Sequence, residues 1–166
     1  MIINNHFCTF KLFILKGHVI SMHEELLIEY FNKLEEIFKL DQEIVNYKNK
    51  MDKELDAERI EMKGIIFNCN TKQQIVDILR ERTMKSDLRN SIYIGLHVKQ
   101  LNIMKELQNL IDELGMNSTY IPEVDNMINT VNEMIDTFEN KIKLMTEGLQ
   151  KNSLEFNEFL TKSLNG

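Results

Sequence analysis

The chain has no tryptophan, one proline (Pro122), one alanine (Ala57), six glycines and two cysteines in 166 residues. So few breakers argue against a many-turned β fold and favour long helices. Without tryptophan there is no WxG turn of the kind that joins small secreted helical hairpins. Cys8 and Cys69 lie far apart, with no CxxC spacing. That excludes a disulfide framework and suits free thiols in a reducing, cytoplasmic compartment. No apolar run approaches the ~18–20 residues that cross a bilayer, so no membrane span is expected. Basic surplus is missing as well. The formal net charge of −6 disfavours nonspecific binding to nucleic acid or to anionic membrane.

What is present is apolar periodicity. From Pro122 to Ser163, steps of four and three give Val124, Ile128, Val131, Ile135, Phe138, Ile142, Met145, Leu149, Asn152, Phe156 and Phe159. Of these only Asn152 is polar. That 3.5-residue repeat belongs to a helix packed lengthwise on another helix. Pro122 suits its first turn. A helix of ~40 residues is ~60 Å long, and the rest of the chain should cover its stripe.

Residues 1–21 differ from the other residues of the chain. Phe7, Phe10, Leu12, Phe13, Ile14 and Leu15 are interrupted by Lys11, and the segment makes a poor signal peptide. Two readings stay open. It is a short arm on the bundle, or it precedes the true initiator, Met22. Lys16-Gly17 can back-translate to a ribosome-binding-like stretch just upstream of Met22. The abundance of Ile, Lys and Asn points to an A/T-rich genome.

Ser21 with Glu24 forms a capping box, and it opens a first helix over about 22–63. Its seam is Leu27, Tyr30, Leu34, Ile37, Ile44, Met51, Leu55, Met62 and Ile65, with Asp41, Lys48 and Glu58 as polar interruptions. Leu26, Phe31, Phe38 and Val45 widen the stripe, as in a globular bundle. Gly64 and Asn68-Cys69-Asn70 mark a turn, and Thr71 with Gln74 is a second capping box. The second helix covers about 72–114, with Gly115 as its C′ residue. Its seam is Leu88, Ile92, Leu96, Ile103, Leu107, Leu110 and Leu114. The polar stretch 80–87 allows a kink there. The third helix covers about 122–163.

Short turns make successive helices antiparallel. The expected fold is therefore all-α: one elongated up-down-up three-helix bundle over 22–166, with coiled-coil-like packing and a short N-terminal extension. The rival arrangement reserves the third helix for parallel self-association, with Asn152 fixing register. In the bundle, position i of the first helix lies near 138 − i of the second. That sets Asp56 near Arg82, Glu58 near Arg80 and Glu54 near Lys85. Residues 22–64 carry twelve acids against seven bases, 122–166 eight against four, and 71–115 six against seven. The least acidic helix should lie between the two acidic ones.

Chemistry is sparse. His6, His18, His23 and His97 are the only histidines, and neither Glu-x-x-His nor HExxH occurs. Di-iron and zinc sites therefore lack their ligand spacing, and His23 and His97 read as surface or boundary residues. Gly64 and Gly95 stand alone, without a phosphate loop. The adjacent carboxylates Glu24-Glu25 and Glu35-Glu36 read as a solvated face. Arg89, Lys99 and Lys105 make too thin a basic patch for nucleic acid. The methionines, Met51, Met62, Met127, Met134 and Met145 among them, read as core filler. Small ribonucleases of the HEPN type carry an Arg and then, after about four to six residues, a His on one helix. Arg89 and His97 enclose seven residues and lie ~80° apart round a helix, so the match fails.

The expectation is a non-catalytic helical interaction protein: an adaptor, a small chaperone or an assembly subunit. It would have no cofactor, no metal and no small-molecule ligand, and its partner would be a second copy or another helical protein. The alternative is a small all-helical enzyme, such as an HEPN-like nuclease with an unrecognised site.

Overall fold

A computed structural model describes residues 24–117 and 122–165. The expected extension, 1–21, lies outside the described residues, as do Cys8, His6, His18, His23 and the Ser21 cap. Three helices account for the described residues: α1 (Glu24–Phe67), α2 (Lys72–Asn117) and α3 (Pro122–Asn165). No strand occurs among the described residues. The protein is an all-α three-helix bundle.

The turn between α1 and α2 forms as its residues dictate. The Gln74 N–H donates to Thr71 Oγ1 at 3.2 Å, and the Thr71 and Asn70 N–H groups donate to Gln74 Oε1 at 3.2 and 2.9 Å. This is a reciprocal cap on the free donors of the first turn. Two expected boundaries move. α1 continues through Gly64 to Phe67, and α2 continues through Gly115 to Asn117. A single glycine costs a helix about 1 kcal/mol, too little to stop one that is packed along its length. The polar stretch 80–87 stays helical.

Cross-links give the directions. Lys33 pairs with Glu106, Asp41 with Gln100 and Glu58 with Arg89, so α1 ascends as α2 descends. Gln108 meets Asn132 and Lys105 meets Glu139, so α2 and α3 are also antiparallel. α2 is the spine. Both other helices approach it within 8 Å between Cα atoms, and no Cα of α1 comes that close to α3 among the described residues. The least acidic helix therefore lies between the acidic ones. α3 packs along α2 within its own chain.

The core occupies one half of the bundle. Ile37, Met104, Leu107, Ile111, Val131 and Ile135 are buried together there. Tyr30 and Leu34 of α1 and Met127 and Val131 of α3 meet around an apolar cavity of about 30 Å³, room for roughly two waters. We call this the core half: residues 24–44, 97–117 and 122–143. In the other half, 45–96 and 144–165, only Val76 and Leu160 among the described large apolar side chains are buried. Charge divides in the same way. The core half carries fifteen acids against six bases, net −9, and the open half eleven against twelve, net +1.

Along the α3 seam, Val131 and Ile135 are buried, while Ile128, Phe138, Ile142, Met145, Leu149 and Phe156 are half-buried. The Val124 side chain lies outside the described residues. Asn152 is exposed. Phe159 is a correction: it is 54% exposed, and its neighbour Leu160 is the buried residue at 4%. A straight helix drifts about 20° per heptad against a strict 3.5 repeat, enough by the end of α3 to carry the seam one residue on. Leu88 and Ile92 are a second correction. Expected inside, they are 63% and 44% exposed.

Candidate functional site

The residues that displace Leu88 and Ile92 from the interior are charged. On α2, Arg82 and Arg89 lie seven residues apart and so on one face, and that face meets α1. Arg89 grips Glu58 with both terminal nitrogens, at 2.6 and 2.9 Å, and reaches Glu54 at 3.7 Å. A fork-to-fork pair of this kind fixes geometry as well as charge. Arg82 donates to the Glu58 carbonyl at 2.7 Å and pairs with Glu61 at 3.1 Å. The Tyr47 hydroxyl donates to the Arg89 carbonyl at 3.3 Å. The hydrogen bond from Arg89 holds the Glu58 carboxyl below its ordinary range, and the same bond raises Arg89.

The expected charge pairs are therefore redistributed. Glu58 engages Arg82 and Arg89 in place of Arg80. Arg80 pairs along its own helix with Asp77, Asp56 with Arg59, and Lys85 with Glu81. Glu54 lies near Lys50 and Arg89. The acidic run of α1 does lie along the basic part of α2, but the partners depart from the 138 − i register by five to nine residues. The role of Arg89 was missed because the sequence placed it only beside His97 or in a thin basic patch with Lys99 and Lys105, and not opposite Glu58.

His97 is a further correction: it is 2% exposed, in the bundle interior. Its ring stands edge-on to Tyr93, centroids 4.8 Å apart, and 6.0 Å from Phe138 of α3. Neither ring nitrogen has a hydrogen-bond partner in the protein. Burial, and then the charge of Lys141, push its pKa down, against opposing pulls from the neighbouring Gln100 and then Asp41. Next to it Gln100, fully buried, donates to Asp41 Oδ1 at 2.6 Å.

Chemically this seam is closed. Arg89 is committed to carboxylates, Glu58 is ionised and engaged, and His97 touches rings in place of a nucleophile or a carboxylate. Arg89 faces α1 and His97 packs on α3, so the two do not converge. Among the described residues no group of three His, Cys, Asp or Glu is placed to hold a metal ion. Cys69 is a free thiol whose Sγ lies 3.3 Å from the Ile65 carbonyl.

The outer face of α2 is the opposite case. With Arg82, Arg89 and Gln100 turned inward, Met84, Leu88, Ile92 and Val98 stand in solvent at 67, 63, 44 and 38% exposure. They form a stripe about 21 Å long at 1.5 Å per residue. Exposed apolar residues are ordinary singly; these four recur on the outer side of α2. This stripe is the candidate functional site of a three-helix bundle with a closed polar interior. No known protein family, characterised protein or solved structure matches the chain.

Proposed function

We propose that this chain is a non-catalytic protein–protein interaction module, an adaptor, small chaperone or assembly subunit, that works through the outer face of α2. The observation that carries this reading is the outward Met84–Leu88–Ile92–Val98 stripe. Such a row forfeits burial within the chain and regains it on a protein surface. Its composition suits an adaptable helix-in-groove contact, since methionine and leucine repack easily. The closed state of Arg89, Glu58 and His97 supports a structural role for the titratable groups. No helix of the described residues is long and apolar enough to cross a membrane, and the free thiol of Cys69 suits a cytoplasmic setting.

A photo-crosslinking amino acid placed at position 88, with position 56 as the exposed control, tests the reading in the native cell. A protein adduct at 88 and none at 56 is the expected result. Absence of any adduct at 88 would count against the module. RNA cleavage by the purified protein, lost in a folded His97→Gln variant, would favour the nuclease alternative.

A further inference from the structure

His97 stands where the three helices meet, and its two sides differ. Toward α3 it meets Phe138, ring centroids 6.0 Å apart. The ammonium of Lys141 lies 5.6 Å from the centre of that same Phe138 ring. Toward α1 stands Gln100, whose Nε2 donates to Asp41 Oδ1 at 2.6 Å. Gln100 Oε1 is buried and, like both nitrogens of the imidazole, has no hydrogen-bond partner in the protein. Buried polar atoms are nearly always paired. An unpaired imidazole beside an unpaired carbonyl oxygen is therefore held in place by its surroundings, here by Tyr93 and Phe138.

A proton changes the balance between the two sides. The neutral ring has one N–H, and the charged ring has two donors and no acceptor. Once charged, it confronts Lys141 across Phe138, whose ring already serves one cation. On the α1 side it has Gln100 Oε1 to donate to, with the Asp41 carboxylate behind. The Gln100 amide links the two: it accepts from the imidazolium and donates to Asp41. Charged hydrogen bonds are the strong ones, and bonds in a chain reinforce one another. The other titratable groups on these faces are Tyr93 and Lys105 of α2, Lys48 of α1 and Glu139 of α3. Lys48 is paired with Asp52 and Lys105 with Glu139, so neither pair adds net charge.

We propose that the contact of His97 with Phe138 is an acid-sensitive catch: in mildly acid solution the ring leaves α3 for Gln100 and Asp41, and α3 opens from an α1–α2 hairpin that stays joined. The catch works whether or not the outer face of α2 binds a partner.

The hairpin holds in this range because its ties are of another kind. Lys33–Glu106, Arg82–Glu61 and Arg89–Glu58 join α1 to α2, and Glu58 keeps its charge to below 4.5. Burial lowers the affinity of His97 for a proton below the ordinary 6.5, so the open form takes the proton first. Opening of α3 is therefore constant above 6.5 and increases as pH falls below it, by at most about tenfold per pH unit for one proton.

Hydrogen exchange of the full chain at pH 7.5, 6.5 and 5.5, corrected for the intrinsic pH dependence of exchange, tests this. Between 6.5 and 5.5 the amides of α3 around Phe138 should lose up to about tenfold in protection, and those around Glu58 and Arg89 should lose none. His97→Gln should abolish the acid response. Lys141→Gln keeps the histidine, removes the cation that opposes its charge, and should make the response shallower. If His97→Gln does not fold, Lys141→Gln and the NMR titration of the His97 ring in the wild type decide. The ring should titrate below 6.5, in step with the opening of α3. Equal loss of protection in all three helices, pH-independent protection of α3, a ring that titrates at 6.5 or above, or an acid response unchanged in Lys141→Gln would each overturn the proposal.

Discussion

Around Ile37, Met104 and Val131 the side chains of three helices exclude water; around Glu58, Arg82 and Arg89 two helices are joined by charge, and Met84, Leu88 and Ile92 of α2 face outward. The same chain thus builds its two halves differently. The core half gains stability from burial, which grows with apolar area removed from water. The open half gains little from burial, because arginine occupies the interior side of α2. What it gains is a fixed register between α1 and α2 and an apolar surface left free. The contrast teaches that a bundle need not be uniformly filled: a polar seam inside can hold an apolar stripe outside.

The largest test of the contrast is truncation in each half. Ile37 is fully buried, and Ile37→Ala should cost about 3 kcal/mol, within the usual range for core isoleucine. Met62, half-buried in the open half, should cost about 1 kcal/mol when changed to Ala, since much of its surface is already wet. Urea denaturation measures both. Equal losses would erase the difference between the halves.

Next in size is Arg89. Its side chain is 13% exposed and that of Glu58 25%, so removing the arginine strands a poorly solvated carboxylate. Arg89→Ala should cost about 2 kcal/mol. Arg89→Leu combined with Glu58→Leu should recover most of that, because an apolar pair needs no mutual neutralisation. A double variant as unstable as the single one would show that packing of the arginine stem, and not charge, holds the seam.

His97 predicts a smaller, pH-dependent effect. Its folded pKa lies below the ordinary value of 6.5, so the unfolded chain binds the proton first as pH falls. Stability is complete above 6.5 and declines below it, with a slope under the ceiling of about 1.4 kcal/mol per pH unit for one proton. Glu58 acts in a second window. Its folded pKa lies below 4.5, so its contribution is present above 4.5 and is lost in more acid solution. Thermal melts from pH 7.5 to 5.5 should slope in the wild type and be flatter in His97→Gln. A wild-type profile that is flat across that range would contradict the burial of a neutral imidazole.

The smallest effects belong to the exposed pairs. Asp56→Lys and Arg80→Glu should each change stability by less than about 0.5 kcal/mol, since both groups pair only along their own helices in water. A large loss in either would restore the cross-helix partners expected from the 138 − i register.

Helix number and type were legible in residues alone. The 4-3 rows, the Thr71–Gln74 cap and Pro122 specify three long helices through interactions within a few residues of each other, and net charge identified α2 as the middle one. Phe159 was misplaced because a 3.5 repeat and a straight helix drift apart over forty residues. Gly64 was read as a boundary, but a glycine's effect depends on what surrounds it. Leu88 and Ile92 were misread for a deeper reason. Apolar periodicity says that a stripe will be covered and not by what. Which face of α2 turns inward was settled by the competition between that stripe and two arginines facing Glu54, Glu58 and Glu61, and such a competition exists only once α1 and α2 lie side by side. The sequence by itself determined three helices and their order of charge, because both arise from local propensity and composition. Only the tertiary structure decided that His97 is buried, that Arg89 turns inward and that Leu88 is exposed, because burial is a property of neighbours that lie tens of residues away along the chain.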